Sequence, residues 1–508
     1  MDFHQLVPNT KNLKITNTMK KIIYSFLLLF LSTLSYSQTY PRGILEGIDE
    51  GYKQIPQKAP LTRNWYVGTP SYFSLKKYAP TPASQGKYGT CTGWAVAYAA
   101  RTIIEAKKQG WTSKDIITQN AFSPTYQYRQ ASKKISCNGT YTSQVVQSLK
   151  TKGSVPKKEF YVPNGIALCP PTPLHPSNHD KAKHYKIEEY TSLWSSQHGN
   201  NYSKVSKVKA SVSEGNPVVI SMICPKSFNR VGSSGLWQPT ENPNGDTDNK
   251  QHSRHALCVV GYDDSKFGGA FEVRNSWGTG WGNNGYGWIK YKDFANFVYQ
   301  AYEIIDFPQP ESREPTYLAG SLRLYNLDEQ ENLEVTLAGK TRNWNVVGPK
   351  KGGKHTYKVV PNLPSGSEMR MYLKSEQPAY VYLLGTGTVD KTVLTLFPVD
   401  GISPAMNYNN YEVALPSEDH YFKMDNTVGK NYIIVIYSKE KLDIENIRGK
   451  VTANGYGSVS QKVYNALSDL IIDSKYINFN DNEIKFEVAQ NPSNKKAFAM
   501  IIEFNQVN

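Results

Sequence analysis

Phe271-Glu272-Val273-Arg274-Asn275-Ser276-Trp277-Gly278-Thr279-Gly280-Trp281-Gly282 is the segment that decides the fold. Upstream stand Gln251-His252-Ser253-Arg254-His255-Ala256-Leu257 and the turn-forming Gly261-Tyr262-Asp263-Asp264. Together these segments read as a β-hairpin. With the turn centred on Ser265, His255 lies directly opposite Asn275. Opposed side chains have Cβ atoms about 4.5–5.5 Å apart, so Asn275 can orient the His255 imidazole as a catalytic base is oriented. His252 is the competing base, but it precedes the apolar strand and has no comparable partner. Trp277 and Trp281 read either as core aromatics or as an indole wall that keeps water from the His–Asn bond.

A base held in this way calls for a nucleophile, and Gln85-Gly86-Lys87-Tyr88-Gly89-Thr90-Cys91 supplies one. After Cys91 the apolar residues Trp94, Ala97, Ala100, Ile103 and Ile104 recur at three- and four-residue spacing until Gly110, which places Cys91 at a helix start. A helix N-terminus favours negative charge, lowers a thiol pKa and aims backbone N–H groups at whatever the sulfur attacks. Gln85 adds an amide donor, and the glycines let the backbone turn tightly. The chain has 5 cysteines, and an odd count leaves at least one thiol free. Cys224 and Cys258 lie in apolar runs and read as small buried hydrophobes. Cys137 and Cys169 lie in polar, Gly/Pro-rich loops and are the disulfide candidates. Cys91 has no evident structural role. His175 and His179 are spaced by four, but the Pro and Asn around them argue against a helix. No Cys or carboxylate completes a metal set there, so neither metal nor cofactor is expected.

Residues 85–94, His255-Ala256 and the Asn275–Gly282 motif resemble the papain-like cysteine peptidases. The resemblance covers about residues 66–306 and includes Phe122-Ser123-Pro124 and Cys137-Asn138-Gly139. It implies an α+β, two-lobed fold: a helical left lobe opening with the Cys91 helix, a β-barrel right lobe carrying His255 and Asn275, and a cleft between them. Carried over, Cys91 is the nucleophile, His255 the base and acid, Asn275 the orienter, and Gln85 with the Cys91 N–H the oxyanion hole. Gly139, Thr140, Arg254, Ala256, Trp277 and Trp281 line the substrate cleft. The resemblance also implies a thiolate–imidazolium pair with a thiol pKa of about 3–4, and protein or peptide substrates cleaved through a Cys91 thioester.

Departures from the family pattern accompany the matches. Tyr88 replaces a common cysteine, which removes the usual left-lobe disulfide, so Cys137 pairs elsewhere, with Cys169 preferred, or stays free. Thr92 replaces a common aromatic, Thr140 a second glycine, and Arg254 precedes the histidine, so substrate preference is biased in an unassigned direction. Too few residues precede Cys91 for a long inhibitory prosegment, and control of activity is unassigned. The same thioester also serves acyl transfer or ligation. A surface binding protein with a vestigial peptidase fold is a third reading, against which the intact Gln85, Cys91, His255 and Asn275 speak.

Outward from this core, Met19-Lys20-Lys21, an apolar run over residues 22–34 and Ser35-Tyr36-Ser37 read as a signal peptide, with cleavage near Ser37/Gln38 and an over-extended start before Met19. The run is too short to span a bilayer, and no other transmembrane anchor is evident. Export follows as an expectation, whether secreted, periplasmic or surface-held. Residues 38–65 read as a short extension and residues 307–316 as a Pro-rich linker. Residues 317–508 read as a β-rich domain with one helix over residues 459–472, with a small β unit ending near residue 367. Ala379-Tyr380-Val381-Tyr382-Leu383-Leu384, Leu394-Thr395-Leu396-Phe397-Pro398 and Ala414-Leu415-Pro416 resemble an uncharacterised domain that bacteria append to secreted peptidases and signalling enzymes. An envelope or surface partner is one reading of that domain, and a purely stabilising role is the other.

The chain has 508 residues with a net charge of +15 and 39% hydrophobic residues, enough for two or three cores. Charge is uneven: residues 1–305 hold 36 basic and 19 acidic side chains, against 22 and 24 in the rest. The basic residues are scattered rather than clustered, and nothing resembles a nucleic-acid module. Nucleic acid is therefore not an expected partner.

Overall fold

The computed structural model describes residues 40–132, 137–160, 174–195, 201–243, 253–306, 316–338, 356–407, 411–453, 457–491 and 494–508. The signal segment, His252, Cys169 and the linker lie outside the described residues, apart from Thr316 at the linker's end. Residues 41–508 form one unit and residues 1–40 another. No helix among the described residues is long and apolar enough to cross a membrane.

The left lobe is helical. Its central helix begins at Cys91–Gly93, passes through a π-helical stretch at Trp94–Arg101 and finishes as Thr102–Lys108. Gly110, at φ +64°, follows it. Its small residues, Ala95 to Ala100, are buried along both flanks, so neighbouring helices approach closely. Pro124–Ala131 is one of them. Its N-cap Ser123 accepts from the Tyr126 N–H, and Pro124 stands in the first turn, where its missing N–H leaves no bond unmade. Thr142–Lys152 follows, ended by Gly153 at φ +83°. The histidine pair falls on a helix after all. Pro176–Ala182 begins with Pro176 in its first turn, capped by the His175 side chain, which accepts from the Ser177 N–H. Proline disfavours a helix interior but suits its first turn, which is why its presence misleads. His179 meets the Tyr126 hydroxyl at 3.1 Å instead of a metal partner.

The right lobe is a seven-stranded sheet with the order β2-β7-β3-β4-β5-β6 and β1 paired to β4, every pairing antiparallel. The strands are β1 (Tyr72–Ser74), β2 (Glu189–Ser192), β3 (Val218–Cys224), β4 (Ser253–Asp263), β5 (Ala270–Arg274), β6 (Tyr286–Lys290) and β7 (Val298–Ile305). The β4–β5 hairpin forms, but not in the expected register: Cys258 pairs with Arg274, and a bulge between Val259 and Gly261 shifts the rest. A 3-10 turn at Lys266–Gly268 sets the connection one to two residues later than Ser265. Asn275 is therefore past the end of β5 rather than within a ladder opposite His255.

Residues 316–508 build a sandwich of two sheets. One has the strand order Val335–Leu337, Thr356–Val359, Ala497–Val507, Gly429–Ser438, Ala379–Gly387, Leu394–Phe397. The other runs Tyr411–Leu415, Glu368–Ser375, Leu318–Asn326, Ile484–Val488, Ile477–Phe479. Residues alternate in burial along Glu368–Ser375, as one buried face requires. Leu322, Leu373, Val381, Val435, Phe486 and Met500 meet in the shared core. The strand Leu318–Asn326 pairs with both Glu368–Ser375 and Ile484–Val488, so the region does not divide near residue 367. The expected helix runs over Val459–Ala466. It packs with a further helix, Ile444–Ala453, on the outer face of the larger sheet.

Residues 55–62 stitch the two halves together. Gln57 bridges Ser192 on β2 and Ile402 of the sandwich. Its N–H donates to Gly401 O at 2.6 Å, and its carbonyl accepts from the Ser403 N–H at 2.8 Å. Ala59 and Leu61 are buried in the sandwich core, and Leu61 bridges Val413.

Candidate active site

β4 carries His255 on its buried face, and the chain leaving β5 brings Asn275 to it. His255 Nε2 lies 2.9 Å from Asn275 Oδ1. That oxygen also accepts from the Ser276 N–H at 2.7 Å, which fixes the amide with its oxygen toward the imidazole. Nε2 must then carry the proton. Nδ1, buried and with no hydrogen bond among the described residues, is left as the basic nitrogen. Trp277 stacks on His255, ring centroids 4.6 Å apart, and Trp281 meets Trp277 edge-on at 5.8 Å. The Trp281 indole N–H donates to Phe228 O at 2.9 Å, and Phe228 touches both tryptophans. The indole wall expected from the motif is therefore present, with a phenylalanine behind it.

Gln85 faces the same space. Its backbone N–H donates to Ser276 O at 2.8 Å, and Ser276 Oγ donates to its Oε1 at 2.6 Å. The side-chain N–H2 is thus turned toward the cleft. Ser276 escaped the sequence reading although it stands inside the motif. A serine between two functional residues gives no signal until both its bonds are seen.

Cys91 is completely buried. Burial pushes its thiol up to about 12, against backbone hydrogen bonds from Ala256 and Gly43. Burial pushes His255 down to about 3, opposed by the Asn275 bond and reinforced by the Arg42 charge. Both shifts oppose the charged forms, so burial in this arrangement works against the expected thiolate–imidazolium pair. Cys224 and Cys258 are also free and buried, and Cys137 is disulfide-bonded. The Cys169 half of the expected pair lies outside the described residues.

The cause of this burial is the chain itself. Residues 41–47 cross the cleft as a strap. Gln85 Nε2 donates to Pro41 O at 3.2 Å. Arg42 donates to Asn229 Oδ1 at 2.8 Å and to Pro225 O at 3.1 Å, its guanidinium carbon 5.9 Å from the Trp277 ring centre. Gly43 O accepts from the Thr140 N–H at 3.0 Å, and the Ile44 N–H donates to Arg254 O at 3.4 Å. Tyr141 and Arg254 side chains donate to Glu46 O at 3.0 Å and Gly47 O at 2.6 Å. Gly43 fits so tightly that a Cβ there would lie 2.0 Å from Gly89 O. Beyond the strap, Asp49 accepts from Ser143 Oγ at 2.5 Å and from the Tyr302 hydroxyl at 3.3 Å, which anchors it.

Direction matters here. For a peptide cleaved with His255 as the acid, the Trp277 side would hold the leaving group, and Thr140, Tyr141 and Arg254 would bound the acyl half. A substrate lays its N-terminal residues in the acyl half. The strap places Arg42 by Trp277 and Ile44 to Gly47 by Arg254 and Tyr141, so it runs the opposite way. The cleft-lining residues Gly139, Thr140, Arg254 and Trp277 all flank this strap, while Ala256 lies at Cys91 and Trp281 sits behind Trp277.

Comparison with known proteins gives the same assignment. The family model described as papain family cysteine protease matches residues 74–302. Residues 74–302 are a papain-family cysteine protease domain. A domain of unknown function matches residues 362–441. A cysteine protease of Blomia tropicalis is 25% identical over 245 residues, 47% of this chain and 66% of that protein. Cathepsin K of Mus musculus is 26% identical over 228 residues, covering 44% and 61%. The chain thus spans about two thirds or less of these relatives. Among solved structures, xylellain, a cysteine protease from Xylella fastidiosa, has a TM-score of 0.41 and 22% identity, covering 53% of this chain and 96% of that one. Bromelain from Ananas comosus, in complex with the E64 inhibitor, has a TM-score of 0.36 and 16% identity, covering 47% and 99%. The strap, which lies ahead of the matched residues, is the feature that motif reading missed. Its sequence signal is slight: Gly43, between Pro41 and Gly47 in a short segment of no marked periodicity.

Proposed function

We propose that the chain is an exported cysteine peptidase whose present form is latent, with residues 41–47 occupying the cleft. The observation that carries this reading is the convergence of Gln85, Cys91, His255 and Asn275 beneath a segment that runs against the productive direction. Once the strap leaves, His255 Nδ1 takes the thiol proton and Cys91 Sγ attacks the substrate carbonyl. The Gln85 N–H2 and the Cys91 N–H stabilise the oxyanion. The imidazolium then protonates the leaving amine, the thioester forms, and water hydrolyses it with His255 as base. Export is supported by the sequence of residues 19–37 alone.

The test uses Gly43→Val in the chain lacking residues 1–37. The side chain cannot fit against Gly89, so the strap is displaced without touching the catalytic groups. Expected is alkylation of Cys91 at least tenfold faster than in the parent, with casein hydrolysis appearing in parallel and absent in Gly43→Val/Cys91→Ala. Rapid alkylation with no hydrolysis would exclude the peptidase reading.

A further inference from the structure

Arg254 stands in the cleft wall beside the strap backbone and is partly exposed. Its carbonyl accepts the Ile44 N–H at 3.4 Å, so any peptide laid there passes beside its side chain. The guanidinium lies 5.2 Å from the centre of the Tyr299 ring and spends a donor on a backbone carbonyl, Gly47 O. Among the described residues it pairs with no carboxylate. Tyr299 is 8% exposed, and its hydroxyl lies beside Ser221. Nearby, Thr142 Oγ1 and Ser221 Oγ meet at 2.9 Å, both buried. The guanidinium is thus held over an aromatic ring in the cleft wall with donors still free for an acid. A carboxylate entering beside it takes charge-assisted hydrogen bonds from it.

We propose that Arg254 and Tyr299 form a subsite selecting an acidic side chain on the acyl side of the scissile bond. This rests on the peptidase reading and names its substrate class. The test is labelling of Cys91 in the strap-displaced Gly43→Val chain by matched peptidyl vinyl sulfones that differ only in Glu, Gln or Leu at one of the three residues before the electrophile. Strap opening precedes every reaction equally, so it cancels in the ratio of rates. At one position the Glu probe is expected to react at least tenfold faster than the Gln and Leu probes. Arg254→Gln should bring that ratio near one. Equal rates for Glu and Gln at all three positions, or a preference that survives Arg254→Gln, would overturn the proposal alone. Labelling by none of the probes would remove the peptidase reading and the proposal with it.

Discussion

Ser276 holds the Gln85 amide by its oxygen end, which leaves the N–H2 for the role proposed above. Removing the amide, Gln85→Ala, is expected to cost about 2.7–4 kcal/mol of transition-state stabilisation, read as kcat/KM in the Gly43→Val background. Ser276→Ala should cost less, about 1 kcal/mol for one lost hydrogen bond, and should fall on kcat rather than KM. Titration follows the same side chains. His255 is pushed down to about 3 in the closed form, so that form binds fewer protons than an open one with an ordinary imidazole near 6.5. Closure is at full strength above about 6.5 and weakens as pH falls toward 3, by about tenfold in the opening equilibrium per pH unit. At the other limit the Cys91 thiol, pushed up to about 12, weakens closure above about 9. The ratio of Cys91 alkylation rates, Gly43→Val over parent, removes the thiol's own pH dependence. It should be greatest between about pH 6.5 and 9 and fall on either side. A ratio flat from pH 4 to 8 would refute the sign.

At the scale of elements, most of the peptidase half was legible. The helix after Cys91 and the Thr142–Lys152 helix follow from apolar spacing and glycine stops. Ser123 and Pro124 announce the start of Pro124–Ala131 by chemistry that is purely local. Ser123→Ala should therefore lower stability by about 1 kcal/mol in urea denaturation and leave the site's geometry intact. The β4–β5 register was not legible, since a bulge and a 3-10 turn are two small insertions that cancel poorly and leave no periodic trace. His255 and Asn275 still meet because Asn275 has left the ladder and is placed by its own bonds to Ser276 and His255. Residue types named the partners; their relative placement was set by the bulge.

At the scale of the whole molecule, residues 41–62 touch the papain-family cleft at one end and the C-terminal core at the other. Leu61 is 3% exposed and shares its core with Val413, Leu373 and Phe498. Leu61→Ala is expected to cost about 2–5 kcal/mol, visible as a lowered denaturation midpoint of the sandwich although Leu61 lies hundreds of residues away in sequence. By itself the sequence determined the helix starts, the α+β class, the family resemblance that singles out Cys91, His255, Asn275 and Gln85, and the β character of the C-terminal half. These depend on residue type and short-range spacing, which a linear text preserves. Only the tertiary structure decided the hairpin register, the role of Ser276, the reversed strap and the stitching of residues 55–62 into the sandwich. Those rest on backbone hydrogen bonds and close packing between distant segments, and backbone groups are the same in every residue, so no side-chain pattern records where they will pair.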